Sequence, residues 1–283
     1  MCPEEDDMFK KTTTWSLAAA LTLTLGVVTL AETADEILDR MEAEADAFAE
    51  GSMVSTVRFD NSYRDGTTAG NLFGMLSKPD YSLIFFIEPA EVAGTIFLSH
   101  EIDDGNDSRL WLYLSLLGIP KELVSDEDRG GSFAGSSMSY DDLGGGSERD
   151  DFVATMTGEE NLVIGGETRA AYVIESIAKD GVDTDTPRSI LWVDKESYIM
   201  LKAESYNDLG NLSTTMEVTA LTEFEGRLTA AEMLSNDVLN ENSTMITIIE
   251  QHRPDTEIAD EVFAPENLTD FDSSIWGFKA DGA

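Results

Sequence analysis

From Gly51 onward the sequence is a succession of short apolar or alternating segments, each closed by turn residues. The segments are 52–59, 70–77, 82–87, 94–100, 109–116, 152–157, 162–164, 170–177, 188–193, 199–206, 212–221, 227–234 and 244–251. Turns such as Asp65-Gly66, Lys78-Pro79-Asp80 and Asp208-Leu209-Gly210-Asn211 separate them. No amphipathic helix alternates with these runs, which excludes a βαβ architecture. Short strands at regular spacing predict a mainly β fold, an antiparallel sandwich or barrel of about 11–12 strands. The strands are too short, and the chain too acidic, for a barrel with an apolar outer belt.

One helix precedes the strands. Residues 33–49 open on Thr33 with Glu36 three positions on, a capping box. Ile37, Leu38, Met41, Ala45 and Phe48 then form an apolar stripe. Such a helix packs on a sheet face. Ahead of it, Met8-Phe9-Lys10-Lys11 resembles the start of an export signal, 15–30 is its apolar core, and Thr29-Leu30-Ala31 is a small-residue cleavage pattern. This predicts cleavage after Ala31, translation beginning at Met8, and a single exported domain over 32–283.

Asp and Glu total 56 against 18 Lys and Arg, a net charge of −38, so nucleic acid and anionic surfaces are disfavoured as partners. The acids are spread over every segment, which suits a surface working in high salt, where screening removes self-repulsion. Cys2 is the single cysteine, and His100 and His252 are the only histidines. That leaves no basis for a Cys cluster, a multi-histidine metal site or a cofactor. The loop 130–139 is rich in Gly and Ser but lacks the lysine of a phosphate loop and the pattern of a nucleophile elbow. With no nucleophile–base pair in sight, the reading is not an enzyme. The acidic turn Asp103-Asp104-Gly105-Asn106-Asp107 departs from calcium-loop spacing and reads as a solvated turn.

Several strands are apolar on both faces. Leu83 and Phe85 oppose Ile84 and Phe86, and Leu110, Leu112 and Leu114 oppose Trp111 and Tyr113. A sheet wet on one side alternates more cleanly. Either both faces are covered or one face lines an apolar cavity.

The runs Trp111-Leu112-Tyr113-Leu114, Arg129-Gly130-Gly131-Ser132-Phe133-Ala134-Gly135-Ser136, Tyr140-Asp141-Asp142-Leu143 and Leu191-Trp192-Val193-Asp194-Lys195 resemble the outer-membrane lipoprotein-sorting, or LolA-like, proteins. The branch found beside RND-type exporters is the nearest in pattern. Ala34-Asp35-Glu36-Ile37-Leu38 and Phe263-Ala264-Pro265-Glu266-Asn267-Leu268 match as well. The resemblance implies a half-open antiparallel β-barrel with short helical lid segments. It also implies a periplasmic, monomeric carrier of acyl chains of lipoproteins or lipids. Phe73, Leu83, Phe85, Phe97, Leu110, Leu112, Leu114 and Trp192 are the cavity-lining candidates, by size and strand position. Arg58, early in the sheet, is the candidate for the family's gating arginine. The alternative is a structural or interaction module assisting an RND-type exporter.

Overall fold

Residues 32–102, 107–144 and 149–278 are described by a computed structural model of the chain. The segment expected to be an export signal, most of the acidic turn at 103–107 and the Gly145-Gly146-Ser147 link lie outside the described residues.

Helix α1 (Ala34–Ala49) begins as expected. Glu36 N–H donates to Thr33 Oγ1, and Thr33 N–H donates to Glu36 Oε2 at 2.8 Å. Gly51, with φ at +76°, turns the chain into the sheet, a conformation that glycine adopts without strain. The first meander comprises β1 (Met53–Ser62), β2 (Thr68–Lys78), β3 (Tyr81–Glu88), β4 (Ile96–Ile102), β5 (Asp107–Leu114) and β6 (Ile119–Leu123). The second comprises β7 (Phe152–Ile164), β8 (Glu167–Ala178), β9 (Arg188–Asp194), β10 (Met200–Tyr206), β11 (Leu212–Phe224), β12 (Arg227–Asp237) and β13 (Asn242–His252).

Antiparallel pairing of β1 with β13 fuses the two meanders into one thirteen-stranded sheet, ordered β6-β5-β4-β3-β2-β1-β13-β12-β11-β10-β9-β8-β7. The sheet is open and curved. Its curl brings the edge strand β7 close to β11. The other edge, β6, has no counterpart among the expected strands. Pro120 breaks its pattern, and proline is tolerated there because only one side of an edge strand needs its N–H groups. Segments 152–157 and 162–164 prove to be one strand, β7. A register shift between Met156 and Gly158 interrupts its alternation.

The two edges are consecutive in sequence, so the chain between β6 and β7 must travel from one edge of the sheet to the other. Its described part, the crossing segment 124–144, lies over the concave face and holds two short helical turns, α2 (Asp126–Arg129) and α3 (Tyr140–Gly144); it reaches Thr244 and Ser235 at Ser137 and is back beside Ser99 of β4 at Gly144. The N-terminal half of the sheet is covered on both sides. On the concave face Val57, Phe59, Phe73, Phe86, Phe97 and Leu110 pack with Phe133 and Met138 of the crossing segment. On the convex face Leu76, Leu83, Ile96, Leu98 and Trp111 pack against Ile258, Phe263 and Leu268, from the chain that follows β13. Strands apolar on both faces are therefore explained by two layers of cover. Helix α1 covers the other half of the concave face, where Ile37 and Leu38 pack on Ile174 and Val193.

Candidate functional site

The crossing segment is fixed by polar side chains placed among apolar strand residues. Asn61 and Asn71 donate through Nδ2 to the carbonyl of Ala134, at 3.4 and 3.2 Å. Ser137 N–H donates to Thr244 Oγ1 at 2.9 Å, and Thr244 donates onward to Asn61 Oδ1 at 2.8 Å. Asn61, Asn71 and Thr244 are buried, and buried polar groups are tolerated when paired in this way. Ser99 Oγ donates to the Gly144 carbonyl at 2.8 Å, and Arg129 holds both Asp141 and the Ser108 carbonyl. Phe133 is the centre of the cover. Its ring lies 5.3–6.1 Å from those of Phe59, Phe73, Phe86, Phe97 and Tyr140.

The same concave face continues beyond this plug. One transverse row runs from Phe59 to Ile246 to Met233 to Val218, each opposite the next. Phe59 lies under Phe133. Met233 and Val218 instead border an open cavity of about 560 Å³ between the second half of α1 and the sheet. Met41, Ala45 and Phe48 form its helical wall, and Ile199, Met200, Leu228 and Ala230 complete the apolar lining. Sites of roughly 300–1,000 Å³ with apolar walls and few polar groups are typical of small-molecule binding. Polar groups gather among the remaining lining residues, where Arg227 Nη1 meets Glu44 Oε2 at 2.5 Å and ties β12 to α1. A second opening, about 890 Å³, lies between α1, the β2–β3 turn and α3. Asp46, Glu50, Asp80 and Glu101 line it with Lys78, alongside alanines of α1, Tyr81 and Leu143, and the charges gathered there disfavour a wholly apolar guest.

The cavity depends on the β9–β10 turn, which presents Ile199 and Met200. Asp194 holds that turn. Its carboxylate accepts from Arg169 Nε at 2.9 Å and Nη2 at 2.5 Å, and from the N–H and hydroxyl of Ser197 at 2.9 and 2.7 Å. Burial alone would raise its pKa. The Arg169 guanidinium and the Ser197 bonds outweigh burial and hold the carboxyl below its ordinary value. A depressed pKa in the folded state means that this contribution to stability is present above about pH 4 and is lost as pH falls through the folded value. Arg169→Ala, which leaves the buried Asp194 carboxylate its Ser197 hydrogen bonds but no counter-charge, is expected to cost about 3 kcal/mol in denaturant unfolding at pH 7. The stability gap between wild type and Asp194→Asn is expected to narrow as pH is lowered below about 4.

The candidates named from sequence fall in several places. Phe73, Phe97 and Leu110 are buried beneath the crossing segment, and Leu112 packs against them. Leu83 and Phe85 belong to the convex layer with Phe263 and Phe271. Leu114 ends β5 at the sheet margin. Trp192 belongs to a buried cluster with Leu201 and Val218, against which the cavity-lining Ile199, Ala230 and Met233 also pack. The Trp192 Nε1 donates to Glu160 Oε2 at 2.7 Å. Arg58 alternates with Val57 and Phe59 and bonds through Nε to both oxygens of Asp60, at 3.0 and 3.1 Å. None of these side chains borders the 560 Å³ cavity. The one sequence signal for it was the stripe on α1. Ile37 and Leu38 at its start are buried, whereas Met41 and Phe48 remain partly open.

The model of a protein family described only as "-like: Uncharacterized protein" matches residues 78–270. Among solved structures, a DUF1329 family protein from Desulfovibrio piger superposes with a TM-score of 0.73 at 23% identity, over 84% of this chain and 100% of that one. A protein described as an outer membrane lipoprotein-sorting protein domain, from Vibrio parahaemolyticus, gives 0.69 at 23% identity, over 82% and 99%. A LolA superfamily protein from Nitrosomonas europaea gives 0.62 at 20% identity, over 83% and 98%. No curated protein sequence matches the chain. At these identities the likeness is one of fold, and the fold is LolA-superfamily-like.

Proposed function

We propose that this chain, which belongs to the uncharacterised-protein family whose model matches residues 78–270, is an exported, non-catalytic carrier of acyl chains. The observation that carries the reading is the apolar cavity kept between α1 and the row Met233–Val218. An acyl chain in water gains about 0.8 kcal/mol per buried CH₂, so a cavity of this size and lining favours such a guest. Release must follow uptake, and a half-open site walled by a single helix suits exchange better than a sealed core. The cargo is a lipid or a lipoprotein anchor, and the compartment is extracytoplasmic, as in the sorting role named for the Vibrio parahaemolyticus domain.

Native mass spectrometry with lipid extraction tests this, on protein purified without detergent from its own host. Near-stoichiometric bound lipid or acylated peptide is the expected result. A clean apo mass, with no uptake of added fatty acid in high salt, would reject the carrier and favour a cargo-free module working beside an exporter.

A further inference from the structure

Apolar side chains are carried into solvent by the turns at one end of the sheet. By strand order, the β5–β6, β10–β11 and β12–β13 turns all emerge where β1 ends and β13 begins. Leu116 is 93% exposed, and Leu117 and Ile119 are 67% exposed, at the first turn. Leu209 is 77% exposed at the second and Leu239 53% at the third. The β5–β6 tip is a fixed knob, since Leu117 N–H and Gly118 N–H both bond the Leu114 carbonyl, at 2.9 and 3.1 Å. At the opposite end the described turns carry Asp80, Glu196 and Glu225, and Val163, 72% exposed, is a strongly exposed apolar side chain beside them.

Leucines held this far into water favour any surface that removes them from it. Solvated residues separate the tips, so a rigid partner would need a matching pocket for each, whereas a fluid apolar layer receives them independently. The charge of the same end narrows the choice. Asp65, Glu91, Asp208 and Glu241 are exposed in these turns and in the neighbouring β1–β2 and β3–β4 turns; Arg64 pairs with Glu241 at 3.3 Å, and the remaining acids repel an anionic surface. They suit headgroups whose ammonium stands outermost.

We propose that this end of the protein seats on a zwitterionic lipid surface, with Leu116 and Leu117 entering the acyl boundary. The contact is separate from the cargo cavity, whose β9–β10 and β11–β12 turns lie at the other end of the sheet. The test is co-sedimentation of the full chain with phosphatidylcholine vesicles in about 1 M KCl, where the screening length is about 3 Å. Wild type is expected to pellet with the vesicles. The double variant Leu116→Asp/Leu117→Asp is expected to partition at least about tenfold more weakly with an unchanged thermal melt, because both side chains are exposed. Ala230→Trp, in the cavity, is expected to pellet like wild type. Failure of wild type to pellet, or undiminished pelleting of the double variant, overturns the proposal. So does wild-type self-association that the double variant abolishes while vesicle binding is absent, which would assign the tips to a second copy of the chain.

Discussion

Replacing Met233 by aspartate is expected to lower acyl-chain binding at least about 100-fold, close to 3 kcal/mol. Met233 joins two environments. It packs against the concave core around Phe133 and borders the cavity beneath α1. A carboxylate there keeps water when the cavity is empty and must lose it when a chain enters, and desolvating an unpaired charge costs several kcal/mol. Folding is expected to suffer far less than binding, because the empty cavity leaves the carboxylate hydrated. Ala230→Trp approaches the same question by volume: it occupies the space a guest would take, and is expected to reduce binding with no charge introduced. Titration of a fluorescent fatty acid, with thermal melts of the same samples, separates the two effects. Full binding by both variants would remove the cavity from the account.

Phe133→Ala is expected to be the most destabilising single truncation in the crossing segment, by about 3–5 kcal/mol. The ring is fully buried and touches five aromatic neighbours from four strands and α3. Its removal leaves a void where β1 to β4 are held to their cover. For a domain of this size that loss corresponds to a fall in Tm of about 6–20 °C. The hydrogen bonds from Asn61 and Asn71 to Ala134 would still tether the segment, so a cooperative transition at lower temperature is expected rather than loss of the fold. Melts in high salt, where acidic self-repulsion is screened, are the measurement. A shift under about 2 °C would mean that the segment contributes little to stability.

Elements governed by local rules were legible in the sequence. The Thr33–Glu36 capping box and the stripe on α1 depend on residues within one or two turns of each other, and the helix appears where they put it. Most strands were legible because alternation and turn residues are also local. The failures are local as well. Pro120 disguised the edge strand β6, and the Gly158-Glu159-Glu160 interruption split β7 in two.

Which apolar face serves which purpose was not legible. Phe73 and Leu83 look alike in sequence, yet one lies beneath the crossing segment and the other beneath the chain after β13. Their covers come from 60 and 180 residues further along, roughly, and nothing local marks those partners. The cavity was hidden for a related reason. Val218 and Met233 follow the same alternation as their packed neighbours, and they border open space because of where α1 crosses, not because of their own type. Trp192 was chosen for its size, but the role that geometry gives its motif belongs to Asp194, two residues on, which fixes the turn bordering the cavity.

Photo-crosslinking of a diazirine-bearing fatty acid, followed by peptide mapping, tests the central claim most directly. Adducts are expected on the α1 peptide containing Met41 and Phe48 and on the β12 peptide containing Leu228 and Met233, and unlabelled fatty acid should compete them away. Adducts confined to the convex face around Leu83 and Phe263, or labelling that competitor leaves unchanged, would contradict a cavity-borne cargo.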